Sequence, residues 1–144
     1  MTLDEIISMW RSDAKIDPHE LTDESKRIYD LQAKYLELWT TERLILKTAQ
    51  LDMKRLELAK QEFLIQGPSK ETEKKGWKYP VSGKVIRSDV NMYQAADKQI
   101  QEKGFELERQ QIKVDALKMI IDSINSRQYV IGGMIKREIW TGGG

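Results

Sequence analysis

TDESKRIYDLQAKYLELWTTERLILKTAQLDMKRLELAKQEFLIQ, residues 22–66, contains neither proline nor glycine and runs directly into Gly67-Pro68. As a helix of about 45 residues it would be roughly 65 Å long. A helix of that length cannot fold back on its own core, so it needs partners along its length. Steps of alternately four and three residues pick out a heptad seam. It runs from Ile28, Leu31, Tyr35 and Leu38 through Glu42, Ile45, Ala49, Asp52, Leu56 and Ala59 to Phe63. Trp39, Leu46 and Met53 widen this stripe. A second series, Leu44, Leu51, Leu58 and Ile65, repeats every seven residues on another side. Two apolar sides call for two coverings. The chain's other long helix would supply one, and a neighbouring subunit the other.

Outward from this stretch the same reading continues. A short amphipathic helix over 3–12 carries Ile6, Ile7 and Trp10, and SDAKIDPHELTDES interrupts the chain, with Pro18 as breaker and Thr22 or Asp23 as cap. Residues 67–88 form a loop. A second long helix is predicted over 89–126, capped by Ser88 or Asp89. Its seam reads Tyr93, Ala96, Ile100, Lys103, Leu107, Gln110, Val114, Leu117, Ile121, Ile124. Its first half is weak, since Lys103 and Gln110 occupy seam positions and Gly104 costs about 1 kcal/mol against alanine. Assembly energy is therefore expected near the carboxyl end. A final element over 127–140, SRQYVIGGMIKREIW in its sequence context, reads as a helix broken at Gly132-Gly133, before a Gly142–Gly144 tail. The expected fold is all-α in a single helical domain, 1–144. It is a long antiparallel helical hairpin with short terminal helices, assembling through coiled-coil-like seams into a ring-like homo-oligomer.

Composition narrows the function. A net charge of +1 with 33% charged residues gives no bulk field for a polyanion, so any basic surface is local. Without cysteine, and with one histidine (His19, in a turn beside Pro18), no zinc site or nucleophile–base pair is expected. No cofactor or metal is expected, and the glycines of GPSKETEKKG do not build a phosphate loop. The amino terminus does not read as a secretory signal, and no segment is apolar enough for a membrane. The chain is expected not to be an enzyme.

Binding is what remains, and the loop attracts attention. Between Gln66 and Asp89, Lys70, Lys74, Lys75, Lys78, Lys84 and Arg87 outnumber Glu71, Glu73 and Asp89 by three charges. Lysines neutralise phosphates and release counterions, and Trp77 and Tyr79 are flat rings on which unpaired bases stack. The combination suits single strands better than duplex. The competing reading is that the two aromatics pin the loop to the helices. Lys54, Arg55 and Lys60 on the first long helix would extend a phosphate track, and Lys136 and Arg137 form a weaker cluster. A rival function is a helical scaffold that oligomerises and binds only protein partners.

IIDSINSRQYVIGGMIKREIWTGG resembles the carboxyl-terminal stretch of the UvsY-type recombination mediators of T-even-like phages: I-x-S-R-x-aromatic-x-I, then a basic residue, an aromatic and a terminal glycine. KIDPHELTDES is similar to the family's entry to its first long helix. Trp39 or Tyr35 stands near its tryptophan, Gln66-Gly67 near its closing glycine, and AADK (95–98) resembles a segment opening its second long helix. The resemblance implies a non-enzymatic protein that binds single-stranded DNA as a ring, a hexamer or heptamer. It would help displace single-strand-binding protein and load a RecA-like recombinase, in the cytoplasm of an infected host cell. Lys60 falls on one position of the family's DNA-binding basic pair and Leu58 on the other, with Lys54 and Arg55 about one and a half turns earlier. The family's oligomerisation region corresponds here to Val114, Leu117, Ile121 and Ile124, then Tyr129, Ile131, Ile135 and Ile139.

Overall fold

The computed structural model describes residues 1–142 and is helical, with no strand among them. The last two glycines of the tail lie outside the described residues. Five α-helices follow one another: α1 Leu3–Asp13, α2 Leu21–Gln66, α3 Lys70–Lys74, α4 Val90–Ala95 and α5 Lys98–Gly142. No helix is long and apolar enough to cross a membrane, among the described residues.

The chain divides into two compact units, Met1–Leu44 with the segment from Gln110 onward, and Ile45–Arg109. In the first unit, Gln32 of α2 bonds Asn125 of α5 (3.0 Å), while Glu42 accepts from Gln110 (2.7 Å) and meets Lys113 (3.4 Å). Numbers fall on α5 as they rise on α2, so the helices run antiparallel within this unit. The same holds in the second unit: Met53 faces Gly104, and Lys60 pairs with Asp97.

The first unit's core joins Ile6, Ile28, Leu31, Tyr35, Leu117, Ile120, Ile124 and Ile131. A Thr2/Glu5 capping box starts α1, which buries Ile6 but leaves Ile7 exposed. Its carboxyl end is tied down by polar groups. Arg27 donates to the carbonyls of Asp13 (3.1 Å) and Lys15 (2.8 Å), and buried Arg127 donates to that of Ala14 while its guanidinium lies over Trp10. Burial, with repulsion from Arg27, holds Arg127 below the usual guanidinium range. The Tyr35 hydroxyl donates to Asp13 (2.8 Å), as does Lys34 (2.7 Å). Burial alone would raise the Asp13 carboxyl; these hydrogen bonds and the charges of Lys34 and Arg27 outweigh it and hold the group below its ordinary value.

The α2 seam is buried as predicted up to Glu42, then changes phase. Ile45 is exposed and Leu46 buried, and the covered positions continue through Ala49, Met53, Leu56, Lys60 and Phe63. Two successive steps of four, 38–42–46, amount to a stutter. It restores the register that a 3.5-residue repeat loses against the 3.6-residue turn of an α-helix. The stutter falls where the two units divide. Downstream of it, Asp52 and Ala59 give way to Met53 and Lys60.

Two other expectations require correction. The second long helix does not run unbroken from 89: α4 stops at Ala95, and α5 restarts at Lys98 with Asp97 accepting from the Ile100 amide (3.0 Å) as its cap. Nor does the helix break at Gly132-Gly133. Helix α5 continues through both, because a glycine costs only about 1 kcal/mol against alanine and Ile131 anchors the turn in the core.

Candidate nucleic-acid interface

Local rules place the aromatics of the 67–88 loop. Gly67, at φ +87°, closes α2 with its amide on the Phe63 carbonyl (2.9 Å). Ser69 and Thr72 form a capping box for α3. Gly76, at φ +75°, ends that helix in a Schellman turn: its amide bonds Glu73 (3.0 Å) and that of Trp77 bonds Thr72 (3.1 Å). The left-handed glycine therefore turns the chain so that Trp77 returns to α2.

There the two aromatics part company. Both meet the buried ring of Phe63 edge-on, at 5.6 Å for Trp77 and 5.4 Å for Tyr79. The Tyr79 hydroxyl is used twice, donating to the Leu64 carbonyl (2.8 Å) and accepting from the Val85 amide (3.0 Å), beside a small core of Leu64, Val85 and Val90. Tyr79 is thus a pin. Tyr79→Phe should leave the Val85 amide and the Leu64 carbonyl without that partner, at about 1–3 kcal/mol locally. Hydrogen exchange over residues 79–90 is expected to accelerate while α2 stays protected; unchanged exchange would show that the hydroxyl holds nothing.

Trp77 is half-exposed and bordered by cations, Lys60 Nζ at 4.1 Å and Lys75 Nζ at 4.9 Å from the ring centroid. Two clefts meet at it and share no other residue. One, about 160 Å³, is lined by Lys60, Phe63, Lys78, Tyr93 and Asp97 among others; the second, about 510 Å³ and open, by Arg55, Leu56, Ala59, Lys75 and Gln99.

The predicted cations separate into two kinds. Lys54, Arg55, Lys74, Lys75, Lys78, Lys84 and Arg87 are all exposed. Among the described residues the only ion pair in this group is Arg55 with Asp52, at a slack 4.0 Å. Lys60 differs: it is 8% exposed and its ammonium lies 3.0 Å from Asp97. The sequence reading missed Phe63, Asp97 and Gln99. Helical propensity continues across Asp97, so the sequence gives it no distinguishing signal.

Of the residues assigned to oligomerisation, Val114, Leu117, Ile124 and Ile131 are buried in the chain's own core, and Ile121 and Ile135 pack against it. That assignment is revised for the four buried side chains, which the chain's own packing already covers; Ile121 and Ile135 stay partly exposed. Tyr129, at 85% exposed, and Ile139 remain open, together with Val130 and Trp140. Exposed too are Leu51 and Leu58 of the second α2 series, and Phe105, Ile112 and Met119, seven apart on α5.

Comparison with known proteins now bears on this geometry. The family model described as "Recombination, repair and ssDNA binding protein UvsY" matches residues 9–143. The crystal structure of the bacteriophage T4 recombination mediator protein UvsY superposes with a TM-score of 0.79 at 18% identity, covering 98% of this chain and 99% of that one. Comparison with curated proteins gives no match.

Proposed function

This chain belongs to the UvsY family of recombination, repair and single-stranded-DNA-binding proteins, and from that premise we propose that it is a recombination mediator whose strand-binding surface centres on Trp77. In this reading it works without catalysis, weakening the hold of single-strand-binding protein and helping a RecA-like recombinase onto the strand, in the cytoplasm of a phage-infected cell. The observation that carries the site is a half-exposed tryptophan bordered by two lysines within a patch of exposed cations. Arg55, Lys74, Lys75 and Lys78 are the nearest phosphate contacts, with Lys54, Lys84 and Arg87 extending the track. A base would enter the open cleft against Trp77, where stacking is worth about 1–3 kcal/mol whichever base it is.

A near-neutral chain gains strength by repetition. In a ring-like homo-oligomer of helical hairpins, each subunit presents its own patch to one strand, and linked weak contacts raise avidity. Subunit contacts would draw on the exposed apolar positions, Leu51 and Leu58 on α2 and Tyr129, Val130, Ile139 and Trp140 on α5.

Fluorescence anisotropy of labelled oligo-dT across a salt series tests the reading. The expected log–log plot is linear, with a slope of about −0.7 for each phosphate neutralised. Absence of binding at low salt would overturn it and leave the protein-only scaffold.

A further inference from the structure

Lys60 lies among cations a strand would meet, yet its surroundings suit a different task. Its ammonium is 3.0 Å from Asp97 Oδ2 and 4.1 Å from the centre of the Trp77 ring, on a side chain only 10% exposed. Asp97 is itself committed, its Oδ1 accepting from the Ile100 amide that opens α5. A phosphate reaching Lys60 would have to displace a carboxylate that is also a helix cap. As a closed pair, Lys60 and Asp97 carry no net charge and release no counterions on binding. Lys75 is the contrast: exposed and, among the described residues, unpaired by any carboxylate, it lines the open cleft with Arg55, whereas Lys60 lines the other.

We propose that Lys60 is a positioning residue: anchored by Asp97, it fixes the Trp77 ring as a stacking plate and does not contact the strand's phosphates. The stutter in α2 makes this possible, because it brings position 60 into the covered seam, where a lysine must find a partner. An ammonium over a tryptophan ring is attracted by the π-face, and more strongly when the cation is shielded from water. The ring is thereby held before a base arrives, and the cost of ordering it is removed from the binding step. The inference rests on the single-strand reading above.

The test compares Lys60→Met, Lys60→Arg and Lys75→Met in the full chain, by oligo-dT anisotropy against salt and by fluorine NMR with 5-fluorotryptophan. The Trp77 resonance is identified by its absence in Trp77→Phe. Lys60→Met is expected to weaken binding about tenfold with the parent's salt slope, and to move the Trp77 resonance in the free protein. Lys60→Arg is expected to restore both, and Lys75→Met to flatten the slope by about 0.7. Should Lys60→Met unfold, Lys60→Met/Asp97→Asn removes both charges, keeps a capping side chain, and carries the same expectations. Any flattening of the slope by the Lys60 variants, an unmoved Trp77 resonance, undiminished affinity, or failure of arginine to restore binding overturns the inference while the mediator reading stands. A parent that does not bind oligo-dT overturns both.

Discussion

Replacing Arg55, Lys74, Lys75 and Lys78 together by alanine is expected to lower oligo-dT affinity roughly a hundredfold at 0.15 M salt and flatten the log–log salt dependence by about 3. Each exposed cation that neutralises a phosphate contributes about 0.7 to that slope, and at physiological salt this is roughly a factor of four in affinity. Four such contacts multiply to between one hundred and several hundred. The fold should not suffer: all four side chains are exposed, and the one ion pair lost among the described residues, Arg55 with Asp52 at 4.0 Å, is worth little at the surface. Equal helical circular dichroism would establish that. A variant retaining the parent's slope would move the site away from the Trp77 patch, with Lys136 and Arg137 next in line. Anisotropy on the same oligonucleotide at several salt concentrations reads both quantities at once.

The second large effect is on stability. Tyr35 is fully buried, packs edge-on against Trp10 at 5.5 Å, and holds Asp13 through its hydroxyl. Tyr35→Ala should cost about 3–5 kcal/mol through the cavity left behind. The melting temperature would fall by roughly 10–15 °C for a chain of this size, at matched protein concentration. Tyr35→Phe isolates the hydroxyl, and its cost should depend on pH. The Asp13 carboxyl is held below its ordinary value, so its contribution is complete above the unfolded value of about 3.9 and is lost as pH falls through the lower folded one. The gap between parent and Tyr35→Phe is therefore expected to be steady near neutrality and to narrow in strong acid. A gap that widened on acidification would show that the hydroxyl does not stabilise the charged carboxyl.

Much of the helical layout is legible in the sequence, because long uninterrupted runs ending in glycine leave few choices. Helix α2 ends where Gly67 adopts a left-handed backbone, as Gly67-Pro68 suggests. What the pattern does not reveal is the stutter. A one-residue phase change after Glu42 exchanges Ile45 for Leu46 and Ala59 for Lys60, and in a chain with apolar residues on several sides either phase looks acceptable. That ambiguity is why Lys60 reads as a surface cation and proves to be a seam residue. The roles of Trp77 and Tyr79 are equally unreadable beforehand, since they depend on which ring finds backbone partners, and only the Tyr79 hydroxyl reaches two. Asp97 escapes notice for a related reason: propensity continues across it, and only the side-chain cap marks the restart.

The paired glycines of α5 have a consequence for how subunits would meet. Helix propagation weakens at each of them, and although Ile131 and Ile135 hold the flanking turns to the core, the glycines add no side chain of their own to that hold. The turns beyond carry Ile139 and Trp140, exposed apolar residues with little of the chain's own core against them. In an isolated chain these last turns, at a helix end, would fray most readily, and a neighbour's apolar surface would wind them again. Were subunits to join there, assembly would be partly a folding reaction, with ordering entropy spent at the moment of contact. Such a joint favours an interface that opens and closes over one that locks.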